Sequence, residues 1–478
     1  LQAVAATLSG QAPIKLPSDS SLVPVAPVAA PSASPPAGRR RVPWVVAGLA
    51  PVVLIGLALF AWRPWAASRE RERPETPAAA APAGEPVKVG VLHSLTGTMT
   101  TSEAPVADAV QFAIDEVNHA GGVLGRPVMA VVTDGRSDEA TFAREAERLI
   151  SQDQVCAVFG CWTSASRKAV KRVVERHDHL LVYPVQFEGL ETSPCIVYLG
   201  AAPNQQIFPA LDWAATALKK KRFFLVGSDY VYPRAAHAII RDRLARTGGE
   251  VVGEDYVPLG STKVEAAVAA VVRAKPDMIL NTINGDSNVA FFRALRAAGV
   301  TSAAPPTLSF SISEQGLRSL TPAELDGDYA AWTYFESVDT PENAAFVRRF
   351  REDYPRDNIT DPMETAYMGV KLWAAAANEA QTTDPKRVRR ALLNQRLAGP
   401  GGEVRIEPDT QYCYRTPRIA RVSADGRFQV VWTAPAPVRP DPYPGPRTAE
   451  AWWAFLHDLS AGWGNRWAAP AGGPTPDK

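Results

Sequence analysis

The sequence predicts an α/β protein of two lobes, carried behind one membrane-spanning helix. Three observations predict it. Strand and helix patterns alternate from Val87 onward more often than a single sheet of ordinary size requires. An uncharged apolar run from Val42 to Trp62 matches the about 20 residues that cross a hydrocarbon core. Polar and aromatic loops recur at successive strand ends, where open α/β sheets hold their ligands.

In chain order, residues 1–41 are an arm rich in Pro, Ala, Ser and Val, too poor in aromatic residues to build a core, and read as disordered. The chain opens at Leu1 rather than Met, and LQAVAATLSG reads as the end of a helix cut from something upstream, as expected of a fragment. Residues 42–62 are the expected spanning helix. The run is longer than the about 7–15 apolar residues of a secretory signal, and Trp44, Trp62 and Trp65 lie at its ends as interfacial anchors. Arg39, Arg40 and Arg41 on one side face Arg63, Arg69, Arg71 and Arg73 on the other, so the basic flanks leave orientation open. Residues 63–86 are a charged, Ala/Pro-rich stalk.

The folded part runs from 87 to 445. VKVGVLH alternates as a strand and precedes a helix with Val106, Val110, Ile114 and Val117 on one stripe. VMAVVTD leads into a helix from about Asp138 to Gln152. Val155 to Phe159 and a second strand that empties into Tyr183 flank a helix from about Ala165 to Arg176. RFFLVGS precedes a helix around Arg234 to Arg246, and DMILNTI one from Ser287 to Ala298. This rhythm predicts parallel sheets faced by helices. EVRIEPD, RIARVSADGRF and FQVVWTA then read as strands joined by turns such as Ala424-Asp425-Gly426. In 446–478, a helix places Trp452, Phe455, Leu456, Leu459 and Trp463 on one face, to pack on the domain or a partner, and a tail follows.

The totals exclude several functions. Of 478 residues, 51 are Lys or Arg and 50 are Asp or Glu, a balance with no basic field for nucleic acid. The six histidines and four cysteines fall in no metal-ligand spacing, so neither a metal nor a cofactor is expected. No nucleophile elbow or phosphate-binding loop is present. Cys161 lies at a strand end in the expected mouth but has no local base, which leaves amide hydrolysis through it as a minor alternative. The other three, Cys156, Cys195 and Cys413, read with it as buried thiols or at most one disulfide.

What the strand ends carry is aromatic and neutral hydrogen-bonding groups: Thr98 to Ser102, Trp162 to Ser164, Tyr183 to Glu188, Ser228 to Tyr232 and Asn284 to Asn288. Any one loop could be only a cap or a turn. Five of one character point to a small, polar, uncharged ligand between two lobes.

With these loops in view, the stretch from about Val87 to Pro444 resembles the substrate-binding proteins of urea ABC transporters, within the wider family of urea and short-chain amide binders. The resemblance rests on VGVLHSLTGTM, the Ser102-Glu103 pair, NHAGGVLG, VFGCWTSASRKAV, YPVQFEGLE, GAAPNQQIFPALDW, FFLVGSDYVYPR, GGEVVGEDYVPLGST, NGDSNVAFF, SVDTPEN, DPMETAYMGV and PDPYP. It implies a two-lobed type I periplasmic-binding-protein fold, the Venus-flytrap architecture, with three crossover segments and no catalytic residue. It further implies a cleft lined by Trp162, Ser164, Tyr183, Tyr230 and Tyr232, with Ser102, Gln186, Glu188 and Asp286 as further contacts. Trp162 and Val185 stand where an amide-responsive relative has tyrosine and threonine, which agrees with the urea branch. Thr100-Thr101 departs from the Ala-Ile usual in urea proteins. The implied function is binding of urea or a short-chain amide, for an ABC transporter permease or as the sensor of an inner-membrane receptor with a cytoplasmic effector domain such as a kinase. The spanning helix would then leave the binding domain on the periplasmic side. The alternative of another class is a branched-chain amino acid binding protein.

Overall fold

The computed structural model describes residues 82–355 and 358–470. The expected arm and spanning helix, the stalk up to residue 81 and the last eight residues of the tail lie outside the described residues. Among the described residues no helix is long and apolar enough to cross a membrane.

The chain begins with β1 (Val87–His93), α1 (Thr100–His119), β2 (Val128–Asp134), α2 (Glu139–Ser151), β3 (Val158–Gly160), α3 (Ser164–Arg176), β4 (Leu181–Tyr183) and β5 (Ile196–Tyr198). These strands form a five-stranded parallel sheet in the order β2-β1-β3-β4-β5. After a first crossing come α4 (Ile207–Thr216), β6 (Arg222–Ser228), α5 (Val231–Thr247), β7 (Glu250–Val257), α6 (Glu265–Ala274), β8 (Met278–Thr282), α7 (Ser287–Ala297), β9 (Thr307–Ser309), α8 (Glu314–Ser319), α9 (Pro322–Leu325) and β10 (Tyr329–Trp332). A second crossing returns the chain to the first lobe with α10 (Pro341–Asp353), α11 (Asp361–Ala380) and α12 (Pro385–Leu392). There it adds a small antiparallel sheet of β11 (Arg396–Gly399), β12 (Gly402–Ile406) and β13 (Cys413–Tyr414). A third crossing enters β14 (Arg418–Val422), β15 (Phe428–Thr433) and α13 (Ala449–Gly462) in the second lobe.

Helix starts follow the sequence closely. Asp138, Thr163, Thr340, Asp384 and Thr448 each accept a backbone N–H of the first turn of α2, α3, α10, α12 and α13. Proline follows at the start of α10 and α12, where its missing N–H costs nothing. Helix α5 starts earlier than Arg234 because Tyr230 is extended and Pro233 sits in the first turn. Tyr232 is thereby a helical residue rather than part of a loop.

The second sheet has seven strands in the order β15-β14-β10-β9-β8-β6-β7, and it is mixed rather than parallel throughout. Strands β14 and β15 run antiparallel because the Ala424-Asp425-Gly426 turn joins them directly, with Gly426 at φ 76°. Alternate residues of β6 serve opposite cores. Phe223 and Leu225 pack toward α4, α5 and α13, and Phe224 and Val226 toward α6 and α7. Both faces are covered, which is why RFFLVGS reads as an apolar run rather than an alternation. Trp452, Leu456 and Leu459 of α13 and Trp463 just beyond it are buried in the first of these cores, with Phe455 half-buried against it, as their spacing predicts.

The crossings are riveted to one another. Gln206 in the first donates to the Ala331 carbonyl at 2.6 Å, and Gln205 to the Cys413 carbonyl at 2.9 Å. Arg415 in the third donates to Thr333 Oγ1 in the second and to Glu364 Oε2, both at 2.9 Å. Asp361 Oδ2 accepts the backbone N–H groups of Thr333 and Tyr334, each at 2.8 Å. All of these side chains are buried. Arg415→Ala leaves Glu364 and Asp361 without their cation and is expected to cost about 3–5 kcal/mol, measured by guanidinium denaturation.

A second expectation concerns pH. Glu314, buried at the start of α8, accepts the Glu336 N–H at 2.9 Å. Burial, with Glu336 and Asp361 nearby, pushes its carboxyl up to about 8. Between its ordinary 4.5 and about 8 the folded chain holds this proton and the unfolded chain does not. The contribution is therefore fully present below 4.5 and is lost as pH rises through 8. Glu314→Gln should flatten that decline, seen as a smaller drop in guanidinium midpoint between pH 5 and 9.

Candidate functional site

The candidate site lies where the strand ends of the two sheets face each other. On the first lobe, β3 ends in a loop where Cys161 takes φ 68°, and Trp162 follows before α3 begins at Ser164. The Tyr183 hydroxyl, at the end of β4, donates to the Trp162 carbonyl at 2.6 Å, so the two loops are tied together. One helical turn beyond Ser164, Arg167 gathers the wall. It donates to Ser164 Oγ at 2.9 Å, to Glu188 Oε1 at 2.8 Å and to Glu191 Oε1 at 3.1 Å, and its guanidinium lies 4.9 Å from the Tyr183 ring centre and 4.5 Å from that of Phe187. Ser164 Oγ donates in turn to Glu188 Oε2. Lys168 Nζ is 2.5 Å from Glu191 and 3.4 Å from Glu188.

Arg167, Lys168, Glu188 and Glu191 are all buried, and the two cations balance the two carboxylates. Burial works against the Arg167 charge, but Glu191 and Glu188 hold the guanidinium well above its ordinary range. Burial likewise opposes the Glu191 charge, and Arg167 and Lys168 hold that carboxyl well below the usual range.

The second lobe supplies Ser228, Tyr230 and Tyr232 from the end of β6 and Asn284 to Asn288 from the end of β8. The Tyr230 and Tyr232 rings are 6.3 Å apart, and Tyr230 lies within electrostatic reach of Tyr183 and Glu188 of the first lobe. The lobes touch directly. Trp162 Nε1 donates to Asn284 Oδ1 at 3.4 Å, and Gln186 Nε2 donates to the Phe310 carbonyl at 3.0 Å. At the rim Gly285 takes φ 66°, and a Cβ there would meet the Thr98 carbonyl at 2.8 Å, so only glycine allows this approach.

Of the expected site residues, Trp162, Ser164, Tyr183, Gln186, Glu188, Tyr230 and Tyr232 are buried together at this junction. Glu188 is committed to Ser164 and Arg167. Ser102 is half-buried in the first turn of α1, and Asp286 is exposed at the start of α7, where partial burial raises its carboxyl. Thr100 donates to the Gly97 carbonyl and Thr101 is exposed, so neither turns its hydroxyl to the junction's buried groups. Arg167, Lys168 and Glu191 are not among the residues the sequence points to, which places them only on a helix and in a loop. Their signal was two adjacent cations on the buried face of α3 and two glutamates three apart after β4. Asn284, in one of the strand-end loops expected at the mouth, meets Trp162 across the junction.

Several polar atoms at or near this junction are buried without a hydrogen-bond partner: Gln186 Oε1, the Tyr232 hydroxyl, Ser287 Oγ and Thr98 Oγ1. All are neutral. Tyr232 lies beside Gln186, and burial raises its hydroxyl far above its ordinary range. Burial also pushes the Cys161 thiol far above its ordinary value, with Glu103 adding to the effect, so the group at neutral pH is a thiol and not a nucleophilic thiolate. All four cysteines are free thiols. Among the described residues no cluster of His, Cys, Asp or Glu could hold a metal ion.

Residues 87–449 match the profile of the family described as "Periplasmic binding protein domain". A "Leu/Ile/Val-binding protein homolog 7" from Brucella suis biovar 1 (strain 1330) is 24% identical over 336 residues, 66% of this chain and 82% of the relative. A "Limonene hydroxylase" from Geobacillus stearothermophilus is 32% identical over 117 residues. That match spans 24% of this chain and only 21% of the relative's length. Among solved structures, an amino acid ABC transporter substrate-binding protein from Pseudomonas fluorescens Pf-5 superposes with a TM-score of 0.67 at 20% identity, over 75% of this chain and 98% of that one.

The two tyrosine environments predict different costs of hydroxyl removal without ligand. Tyr183→Phe breaks the bond to Trp162 and is expected to destabilise by about 1 kcal/mol. Tyr232→Phe, which removes an unpaired hydroxyl, should cost less or nothing in the same guanidinium titration.

Proposed function

Because the chain belongs to the periplasmic binding protein domain family, we propose that its interlobe cleft binds urea or a short-chain amide and closes over it, in extracytoplasmic service of an ABC permease or of a membrane receptor. The observation that carries this reading is the internal neutrality of the cleft wall. Arg167 and Lys168 are already matched by Glu188 and Glu191. A zwitterionic amino acid would have to take a partner from one of those ions, and an unpaired buried charge is costly. Urea asks for nothing of the kind.

Urea presents one acceptor and two amide groups, and each group left unsatisfied on transfer from water costs about 1–3 kcal/mol. Gln186 Oε1 is an acceptor for an amide N–H, and the Tyr232, Ser287 and Thr98 hydroxyls can donate or accept. The Trp162 indole offers a flat wall for a planar ligand. With four heavy atoms at about 1.5 kcal/mol each, the ceiling is roughly −6 kcal/mol, a Kd of tens of micromolar.

The second reading is a branched-chain amino acid, favoured by the name of the Brucella relative. Isothermal titration of the detergent-solubilised full chain separates the two. We expect urea or acetamide to titrate near tens of micromolar, leucine to give no heat, and Trp162→Ala to weaken binding about tenfold or more. Leucine binding without urea or acetamide binding would overturn the assignment.

A further inference from the structure

Beyond α13 the chain does not leave the molecule. Residues 463–470 run across the edge where the lobes meet and bond to both. On the second lobe, Val231 N–H donates to the Trp467 carbonyl at 2.9 Å, Ala469 N–H donates to the Asp229 carbonyl at 3.1 Å, and Tyr230 pairs with Ala468 in an antiparallel bridge. On the first lobe, Glu139 at the start of α2 accepts the Trp467 N–H at 3.2 Å and the Arg466 guanidinium at 3.4 Å. The Lys168 ammonium lies 5.0 Å from the Trp467 ring centre. The segment therefore joins the loop carrying Tyr230 to the helix carrying the buried cations of the opposite wall.

We propose that residues 463–470 are a latch that holds the cleft closed, anchored on the second lobe and releasing from the first. Hydrogen bonds fade within a fraction of an ångström beyond about 3.2 Å, so the segment cannot keep both sets of contacts once the lobes rotate apart. The two sets differ in strength. On the second lobe the segment adds a strand-like pairing and continues from α13, whose Trp452, Leu456 and Leu459 are buried, with the segment's own Trp463, against Val231, Ala235 and Ile239 of α5. On the first lobe its hydrogen bonds and its cation contact go to side chains, those of Glu139 and Lys168. Opening thus breaks the Glu139 and Lys168 contacts and carries the latch away with the second lobe. Through Lys168 the latch also touches the Glu188–Glu191 pair, so its release and the order of the cleft wall are coupled.

The test needs no ligand. Hydrogen–deuterium exchange is followed on the detergent-solubilised full chain for wild type, Glu139→Gln, Trp467→Ala and, as a control, Trp453→Ala, whose ring is exposed on the outer side of α13. Loss of the Glu139 or Trp467 contact is expected to speed exchange about tenfold in the cleft loops of both lobes, 160–164 and 283–288, with the control unchanged. Acceleration confined to 463–470, or none in either variant, would overturn the proposal. Should Trp467→Ala fail to fold, Glu139→Gln decides, since Glu139 lies outside the core under α13.

Discussion

The cleft wall depends on one buried cation. Arg167 bonds to Ser164, Glu188 and Glu191 and lies over Tyr183 and Phe187, so a single planar group sets the spacing of the α3 start and the loop after β4. Its five donors in a fixed fork make this possible; a lysine in its place could not address three partners in one plane. Glu191 is in turn held by Lys168 and the Tyr198 hydroxyl, and the Tyr412 hydroxyl donates to its backbone carbonyl. The wall is therefore anchored both to the adjacent strand β5 and to the segment that enters β13. Desolvating four charges is expensive, and the arrangement is tolerable because every ion has an oppositely charged neighbour and hydrogen bonds besides.

The hinge answers a different constraint with the same chemistry. Three separate chain crossings must bend as a unit, and the Arg415, Asp361, Glu364 and Gln206 bonds bind them into one. Crossings tied into one unit and a cross-linked wall would leave the proposed closure to be a rotation of one lobe against the other. That rotation is opposed by the bonds of Trp162 to Asn284 and Gln186 to Phe310 and by the contacts of the final segment.

Much of this was legible in the sequence, and the omissions have physical causes. The alternating strands and helices, the division into two lobes and the buried face of α13 all follow from periodicity, which is local. The loops that bring Trp162, Ser164, Tyr183, Tyr230 and Tyr232 to the junction were legible because the ends of parallel strands gather on one side of a sheet whatever lies across from them. Arg167 and Lys168 were passed over because a charged pair in a helix is ordinarily solvated, and nothing local reveals that Glu188 and Glu191 lie opposite. The antiparallel edge of the second sheet depends on where the third crossing delivers the chain. The role of Trp467 depends on Glu139, more than three hundred residues away, and no pattern within either segment encodes that meeting.

A small neutral ligand imposes a limit on how such a cleft can work. For the urea proposed above, at most roughly 6 kcal/mol would be available from four heavy atoms, and little would be left for forcing two lobes together. A ligand shifts an equilibrium only by its preference for one state, so the closed form must already lie close in free energy to the open one. Direct bonds between the lobes supply that proximity, and a latch contributed by the chain itself adds to it without taking ligand contacts. The latch must also remain weak on one side, since contacts equally strong on both lobes would hold the cleft shut against entry and release alike. Side-chain contacts through Glu139 and Lys168 on the first lobe, set against backbone pairing and a buried helix on the second, meet that requirement.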